Sequence, residues 1–449
     1  MIGTIVARAT PPGRGGVAIV RLSGSRAAEI AVSIGGDLPP PRYAAYRKFV
    51  DSTGNVLDSG LLLYFAAPNS FTGEAVVELQ CHGGPLVVDA LLNRAIELGA
   101  RLAEPGEFSQ RAFLNNRIDL AQAEAIADLI DAASQQAVIG AQRVLQGDFS
   151  TQIHQLTDKL IGLRIYIEAA LDFPEEEVDF LADQSVRDQL QTLIDDCQSL
   201  TQSAHQGQLL RDGIKVVIGG SPNVGKSTLL NALAGHQRAL VTDIAGTTRD
   251  LVKETILIDG LPLEIIDTAG LRQTSDPVEQ AGIALAEEAI KDADLVLHIT
   301  TEVDADPGVE QKRFDGRVLA PGAGFLEVVN KIDLRSDLPR VEQHSDYQRI
   351  YLSAKTGDGL GLLRQKIAEL AGYRPAEEGV FIARRRHLEA LERTGAAINI
   401  GHQSLLKYGA GELLAEELRQ AQQYLAEITG EFTSDDLLGE IFSSFCIGK

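Results

Sequence analysis

At roughly 150 residues per domain, a chain of 449 residues is long enough for about three domains, each with its own core. Lys and Arg number 41 against 63 Asp and Glu, a net charge of −22 that excludes a protein gripping nucleic acid over its whole surface; any RNA contact is local or made through a partner. The 44% apolar and 23% charged shares are those of a folded protein, no apolar run approaches membrane length, and three scattered cysteines (Cys81, Cys197, Cys446) without a signal-peptide pattern in MIGTIVARAT point to a reduced cytoplasm.

Residues 1–118 alternate short apolar runs (TIVARA, GGVAIVRLSG, LLLYFAAP, AVVELQ) with breakers (ATPPGRGG, APNSFTGE), which predicts an α+β domain. From Asp119 the pattern turns helical. A stripe of Phe149, Ile153, Leu156, Leu160, Leu163, Ile167 and Ala170 advances by alternating steps of four and three until Asp172-Phe173-Pro174, and an acidic run and a further helix lead to residue 212. Residues 213–373 read strand, loop, helix in repetition, the pattern of a mostly parallel α/β sheet, with a hairpin around Asp259-Gly260. Residues 374–449 are helical again, with Leu388, Leu391, Ile398, Leu413, Leu414, Leu418, Tyr424, Leu425 and Ile428 expected in the core. Two helical stretches flanking a self-contained α/β unit are expected to pack on one another, making that unit an insertion in a discontinuous helical domain.

The strongest motif is Gly220-Ser-Pro-Asn-Val-Gly-Lys-Ser227, which follows the strand IKVVIG and opens a helix. That is the P-loop spacing in its required context: the glycines let backbone amides converge on phosphates at a helix N-terminus. Asn223, Val224, Gly225, Lys226, Ser227 and Thr228 are the expected phosphate contacts, with Lys226 on the β and γ phosphates as a catalytic group and Ser227 offering its hydroxyl to Mg²⁺. Asp267-Thr268-Ala269-Gly270 closes the strand LEIID and would place a carboxylate near the metal and a glycine amide near the γ-phosphate. In Asn330-Lys331-Ile-Asp333 the Asp333 carboxylate accepts from the paired N–H donors that guanine has and adenine lacks. Ser353-Ala354-Lys355 would line the base. Between P-loop and DTAG, the segment Thr242, Asp243, Ile244, Ala245, Gly246, Thr247 and Thr248 is a switch, and Thr248 is the expected second Mg²⁺ ligand. Leu271 stands where Ras-like enzymes carry a water-orienting Gln, so water is positioned otherwise. These four motifs in this order imply a Ras-like P-loop domain that binds GTP.

A P-loop written with Asn223, a GTTRD switch, DTAGLR, the runs PPGRGG, FTGE, HGG, PGEF, LDLAQAEAIADLI and LDFPEEE, and a terminal Cys-Ile-Gly-Lys together resemble the MnmE (TrmE) family of bacterial tRNA-modification GTPases, within the TRAFAC class, along the whole chain. The resemblance implies a potassium-dependent GTP hydrolase whose two G domains approach each other across a homodimer. Asn223, the Thr242 and Ile244 carbonyls, and Thr247 would surround K⁺ beside the phosphates, and Glu279 would orient the water. It implies that residues 1–118 form a tetrahydrofolate-binding, aminomethyltransferase-like domain that also makes the dimer. That domain would hold 5-formyl-tetrahydrofolate through Arg21, Glu78, Arg117 and Lys449, with Cys446 as a possible nucleophile. It implies a separate FAD-dependent partner, MnmG, in a heterotetramer or larger assembly, and addition of a carboxymethylaminomethyl-type group at carbon 5 of the wobble uridine of certain tRNAs. By residue chemistry alone, lone arginines such as Arg21, and His82 in CHGG, are more often surface and turn residues than ligand contacts.

Two rival readings share the nucleotide motifs: a ribosome-assembly or signalling GTPase without modification chemistry, and a stand-alone one-carbon transferase regulated by GTP. The first would be expected to carry a basic RNA-binding appendage, and none is apparent in the sequence.

Overall fold

The computed structural model describes residues 3–172, 184–235, 253–267, 291–301, 313–314, 317–318, 323–335, 337–344, 347–374, 379–431, 435–445 and 448. The chain divides into two compact units, one of residues 1–127, 144–193 and 393–449, the other of residues 128–143 and 194–392.

The first unit opens with β1 (Ile5–Arg8), β2 (Gly15–Ser23), α1 (Ala27–Gly35), β3 (Ala45–Val50), β4 (Val56–Phe65), β5 (Val76–Gly83), α2 (Pro85–Glu97), β6 (Arg101–Leu102) and α3 (Glu107–Leu114). The strands form one sheet in the order β3-β4-β5-β2-β1-β6, antiparallel except where β1 runs beside β6. Alternation sorts the two faces: Ala18, Val20 and Leu22 of β2 and Val77, Leu79 and Cys81 of β5 share a core with Ile30, Ile34, Val88 and Leu91 of α1 and α2, while Ile19, Arg21, Glu78 and Gln80 look the other way. The α+β character expected for this stretch is present. The strand β3 was not foreseen, because AYRKFV buries only Phe49 fully and carries two cations, so its apolar signal is weak.

The chain continues through α4 (Leu120–Asp131), α5 (Gln135–Gln146), α6 (Asp148–Asp172) and α7 (Gln184–Asp212). Asp119 starts α4 with a reciprocal cap: its Oδ1 accepts from the Gln122 N–H at 2.8 Å while Gln122 Oε1 accepts from the Asp119 N–H at 3.0 Å. The stripe of α6 is buried from Phe149 to Ile167, and Ala170 is half-buried.

The second unit contains β7 (Ile214–Gly219), α8 (Lys226–Ala234), β8 (Lys253–Ile258), β9 (Leu261–Asp267), β10 (Leu295–Thr300), the short pair β11 (Arg313–Phe314) and β12 (Arg317–Val318), β13 (Gly324–Val329), β14 (Arg340–Gln343), β15 (Gln348–Tyr351) and α9 (Leu360–Leu370). Seven strands lie in the order β14-β15-β13-β10-β7-β9-β8; the central five are parallel and each edge strand is antiparallel to its neighbour. The hairpin of β8 and β9 turns at Asp259 (φ 50°) and Gly260 (φ 93°), where two left-handed residues suit the twist of the strands.

The chain then forms α10 (Arg385–Tyr408), whose residues up to Glu392 belong to the second unit, and, in the first unit, α11 (Gly411–Thr429) and α12 (Asp435–Ser443). The helices α6 and α11 pack together, with Arg164 Nη1 donating to Gln422 Oε1 at 2.7 Å. Leu391, Ile398, Leu414, Leu418, Leu425 and Ile428 are buried as expected, but Leu413 is 54% exposed, since of two adjacent leucines only one can face a helix partner. Leu388 and Tyr424 are half-buried, and Tyr424 is capped by the Arg393 guanidinium 3.9 Å above its ring. Phe442 and Phe445 are buried with Leu120 and Ala123.

Within the second unit, residues 379–384 are laid against α5 and α7. An added Cβ at Gly207 would sit 1.8 Å from the Phe381 carbonyl oxygen, and one at Gly140 would sit 3.2 Å from the Ile382 nitrogen. Gln206 donates to the Gly372 carbonyl at 2.7 Å and accepts from the Arg374 N–H at 2.9 Å. Asp128 accepts from both Arg211 and Arg384 at 2.8 Å. Gly162 of α6, by contrast, has nothing within 4 Å of its missing Cβ. The same substitution therefore has opposite signs at two helical sites. Gly162→Ala stabilises by about 0.5–1 kcal/mol through helix propensity, and Gly207→Ala destabilises by about 2 kcal/mol or more through overpacking, as read from the urea midpoint of each variant.

Candidate nucleotide site and a paired Arg–Glu on the first unit's sheet

Three loops follow the carboxyl ends of the parallel strands β7, β13 and β15, the position at which open α/β sheets hold ligands. The loop after β7 is the P-loop, and its two glycines have distinct steric reasons. Gly220 (φ 139°) lies against β10, where a Cβ would be 2.0 Å from the Ile299 carbonyl oxygen; Gly225 (φ 102°) lies against Asn330, whose Nδ2 would be 2.4 Å from a Cβ. Asn223 is also left-handed (φ 64°), which its short polar side chain tolerates. The helix α8 starts at Lys226, and the Lys226 ammonium lies 2.8 Å from the Gly220 carbonyl and 3.2 Å from that of Ser221. A cation is thus held inside a loop that opens onto a helix N-terminus, an arrangement suited to a polyphosphate.

Asn330 stands at the end of β13 and is 2% exposed. Its Nδ2 donates to the Val224 carbonyl at 2.8 Å, and its Oδ1 accepts from the N–H groups of Lys331 (2.8 Å) and Ala354 (2.9 Å). One carboxamide therefore joins the P-loop, the loop after β13 and the loop after β15. Lys331 is left-handed (φ 66°), a strained state for a lysine, and its Nζ reaches the Asn223 carbonyl at 2.6 Å. Asp333 is exposed, and its Oδ1 accepts from the buried Ser353 hydroxyl at 2.7 Å. That contact fixes the orientation of a carboxylate that can present its other oxygen to paired N–H donors. Ser353, Ala354 and the exposed Lys355 form the turn beside it. The structure thus brings Asn223, Val224, Gly225, Lys226, Asn330, Lys331, Asp333, Ser353 and Ala354 together through these contacts, with Ser227 and Thr228 exposed in the first turn of α8. Two residues that sequence reasoning passed over order the last loop: Thr356 donates its N–H to Ser353 Oγ at 3.2 Å, and its hydroxyl to Asp358 at 2.6 Å. The TGDG run was the available signal. Thr242 to Thr248, Thr268 to Gly270, Glu279 and the Asp267 side chain lie outside the described residues.

In the first unit, Arg21 and Glu78 are cross-strand partners on β2 and β5, joined by an ion pair at 2.9 Å with side chains 23% and 14% exposed. The Arg21 guanidinium also lies over the Phe108 ring, 5.7 Å from its centroid, and donates to the Gly448 carbonyl at 3.4 Å. Gly448 (φ 96°) is pressed onto β1, since a Cβ would come within 2.2 Å of the Arg8 carbonyl oxygen. Arg117 is exposed, with its aliphatic stem over Gly73; none of its described contacts reaches Arg21 or Glu78. Burial pushes the Cys81 and Cys197 thiols up to about 11, so neither is a nucleophile at neutral pH. Cys446 and Lys449 lie outside the described residues. No cluster of three or more His, Cys, Asp or Glu that could hold a metal exists among the described residues.

Because Asn330 serves three loops, its loss leaves buried groups without partners. Asn330→Ala is expected to destabilise by about 2–4 kcal/mol and to weaken binding of a fluorescent guanine nucleotide, measured by urea unfolding and by nucleotide titration.

Residues 4–117 match the family model described as GTP-binding protein TrmE N-terminus, and residues 120–446 match the MnmE helical domain. A tRNA modification GTPase MnmE of Hydrogenovibrio crunogenus is 57% identical over 449 residues, covering 99% of this chain and 98% of the relative. That of Pseudomonas aeruginosa (strain UCBPP-PA14) is 56% identical over 450 residues, covering 99% of each. Among solved structures, the G domain of the T. maritima FeoB iron transporter is 25% identical with a TM-score of 0.25, covering 35% of this chain and 98% of that one. With two family models spanning nearly all its length and relatives above half identity end to end, the chain belongs to the MnmE (TrmE) family.

Proposed function

We propose that the protein is a GTP hydrolase acting in tRNA modification at the wobble uridine. The observation that carries the hydrolase half is the Asn330 carboxamide, which joins a P-loop to a guanine-selective carboxylate at Asp333; the tRNA-modification GTPases 57% and 56% identical to it over the full chain carry the other half.

The residues act as follows. Backbone amides of the P-loop and the Lys226 ammonium bind the phosphates, Asp333 and Ser353 orient guanine, and Ser227 at the start of α8 would face a cation beside the phosphates. When bound, Mg²⁺ and K⁺ would neutralise charge developing on the β and γ phosphates. Ser227 and Thr248 would hold the first, and Asn223, Thr242, Ile244 and Thr247 the second. The chemistry of the donor set supports this, since every one of these residues offers an oxygen and hard cations prefer oxygen. Glu279 would orient water, in the absence of a Ras-like Gln at Leu271.

For the first unit we propose a site for a tetrahydrofolate on the open sheet face at Arg21 and Glu78. The residues fit such a group in kind: a carboxylate for ring amino donors and a guanidinium for a carboxylate tail, with the backbone at Gly448 beside them. When bound, 5-formyl-tetrahydrofolate would supply the one-carbon unit. Arg117, Lys449 and Cys446 belong to the same proposal. A homodimer and an FAD-dependent partner, MnmG, complete it. No helix among the described residues is long and apolar enough to cross a membrane. The domain division is 1–118, 119–212, 213–373 and 374–449, and the meeting of the two family models between residues 117 and 120 supports its first boundary.

Two outcomes test these assignments. Wobble nucleosides from cells lacking the chain should lose the carboxymethylaminomethyl-type group by mass spectrometry, and an unchanged nucleoside profile would overturn the function. Replacing KCl by NaCl at equal ionic strength should slow GTP hydrolysis at least tenfold; equal rates would remove the cation role of Asn223 and Thr247.

A further inference from the structure

The edge strand β3 of the first unit's sheet, with the turn that leads into it, carries a second group of residues that neither the fold nor the nucleotide site uses. Between Asp37 and Asp51 the chain has three cations, Arg42, Arg47 and Lys48, and no acid, in a protein of net charge −22. None of the three pairs with a carboxylate among the described residues. Arg42 donates to the Asn69 carbonyl and Arg47 to those of Asp37 and Tyr46, while Lys48 is exposed. Tyr43 and Tyr46 lie among them, each 68% exposed. The strand β3 is an edge of its sheet, and cations commonly guard edges against pairing with another chain. Charge alone would do that; two tyrosine rings held in water work against it.

The strand register places this group relative to the proposed folate site. Tyr46 stands opposite Leu61, Leu61 opposite Gln80, and Gln80 opposite Ile19, one row across four strands of the open face. Arg21 and Glu78 lie in the next row on the same face. Three strand spacings of about 4.8 Å separate β3 from β2, roughly 14 Å, or about four nucleotides at the 3.4 Å rise of a stacked strand. On the same face His82 is 72% exposed, its Nδ1 held 2.8 Å from Asp58 Oδ1, and the same carboxylate accepts the His82 backbone N–H. A carboxylate only accepts, so Nδ1 is the donor in that contact and the ring is held with Nε2 away from Asp58.

We propose that this face docks a single-stranded RNA segment, with bases stacked on Tyr43 and Tyr46, phosphates on Arg42 and Lys48, and a ribose hydroxyl or base edge on His82. The proposal rests on the reading of the protein as a tRNA-modification GTPase, and it says where the RNA lies: along the sheet, so that a base a few nucleotides away meets Arg21 and Glu78. Charge complementarity selects the occupant, since this is a cationic, aromatic island on an acidic chain and single strands are bound by such combinations of stacking and backbone attraction.

The test uses the full-length protein and a fluorescein-labelled RNA stem-loop, with affinity followed by anisotropy across a salt series. Tyr43→Ala with Tyr46→Ala should weaken binding at least tenfold. Arg42→Gln with Lys48→Gln should lower the slope of log affinity against log salt by about 1.4, because two phosphates are then no longer neutralised by the protein. GTP hydrolysis and far-ultraviolet circular dichroism should be unchanged in both, and Arg385→Gln, an exposed cation of α10, should leave RNA affinity unaltered. Unchanged affinity and slope in both pairs would overturn the docking surface. If both pairs instead shift the sedimentation coefficient and leave RNA affinity intact, a second copy of the chain covers this face and the proposal falls. Either failure leaves the tRNA reading standing, because that reading answers to the wobble nucleosides of cells lacking the chain.

Discussion

The nucleotide end of the second unit depends on one side chain whose partners are all protein groups. The Asn330 carboxamide satisfies the Val224 carbonyl on one side and the Ala354 N–H on the other, and it does so at 2% exposure, where water cannot substitute. Phosphate recognition and base recognition are otherwise made by loops more than a hundred residues apart in sequence. With the carboxamide in place they share a frame, and Lys331, strained into the left-handed region, can lay its ammonium on the Asn223 carbonyl. The strain and the close approach of Gly225 follow from that shared frame: a side chain at Gly225 would occupy the position of Asn330 Nδ2.

The sequence carried the nucleotide site because its chemistry is written in local spacing. A P-loop needs glycine where the backbone must come close or turn left-handed, and Gly220 and Gly225 meet those demands for separate reasons, contact with Ile299 and with Asn330. The central strands were legible for a related reason: IKVVIG and FLEVV are largely buried on both faces and read as short apolar runs, each interrupted by one charged residue, Lys215 and Glu327. The strand β3 was illegible because only Phe49 of its six residues is buried, and Leu413 was misplaced because two adjacent leucines give no phase. The slot for residues 379–384 was invisible too. Gly140 and Gly207 sit inside helices, where a glycine looks like a weak helix former until the chain that passes over it is known.

Side-chain pairs formed across strands are a different kind of information. Arg21 and Glu78 are 57 residues apart and meet only because β2 and β5 are neighbours in this register. Residue chemistry gave neither more than the base rate of a surface charge, and only the family resemblance singled them out. Once paired, each partly neutralises the other, which allows an ion pair to sit at 23% and 14% exposure on a sheet face lined by Ile19 and Leu63. The backbone of Gly448 against Arg21 could not be anticipated from the terminal Cys-Ile-Gly-Lys either, because the requirement for glycine there is set by the Arg8 carbonyl, at the other end of the chain.

A net charge of −22 sets a constraint on any polyanion this chain handles: attraction has to be concentrated, because the average surface repels. Both sites meet it in the same manner. At the P-loop, positive potential comes from Lys226, Lys331 and the amide end of α8, gathered on one edge of a sheet. At the edge of the first unit's sheet it comes from Arg42 and Lys48, in a stretch free of acids between Asp37 and Asp51. Several cations elsewhere are instead paired with carboxylates: Arg26 with Glu29, Arg94 with Glu97, Arg385 with Glu389 and Arg419 with Glu416. What sets the two sites apart is that their cations are gathered without a carboxylate between them, so local clustering, rather than total charge, identifies where an acidic protein can meet a nucleic acid.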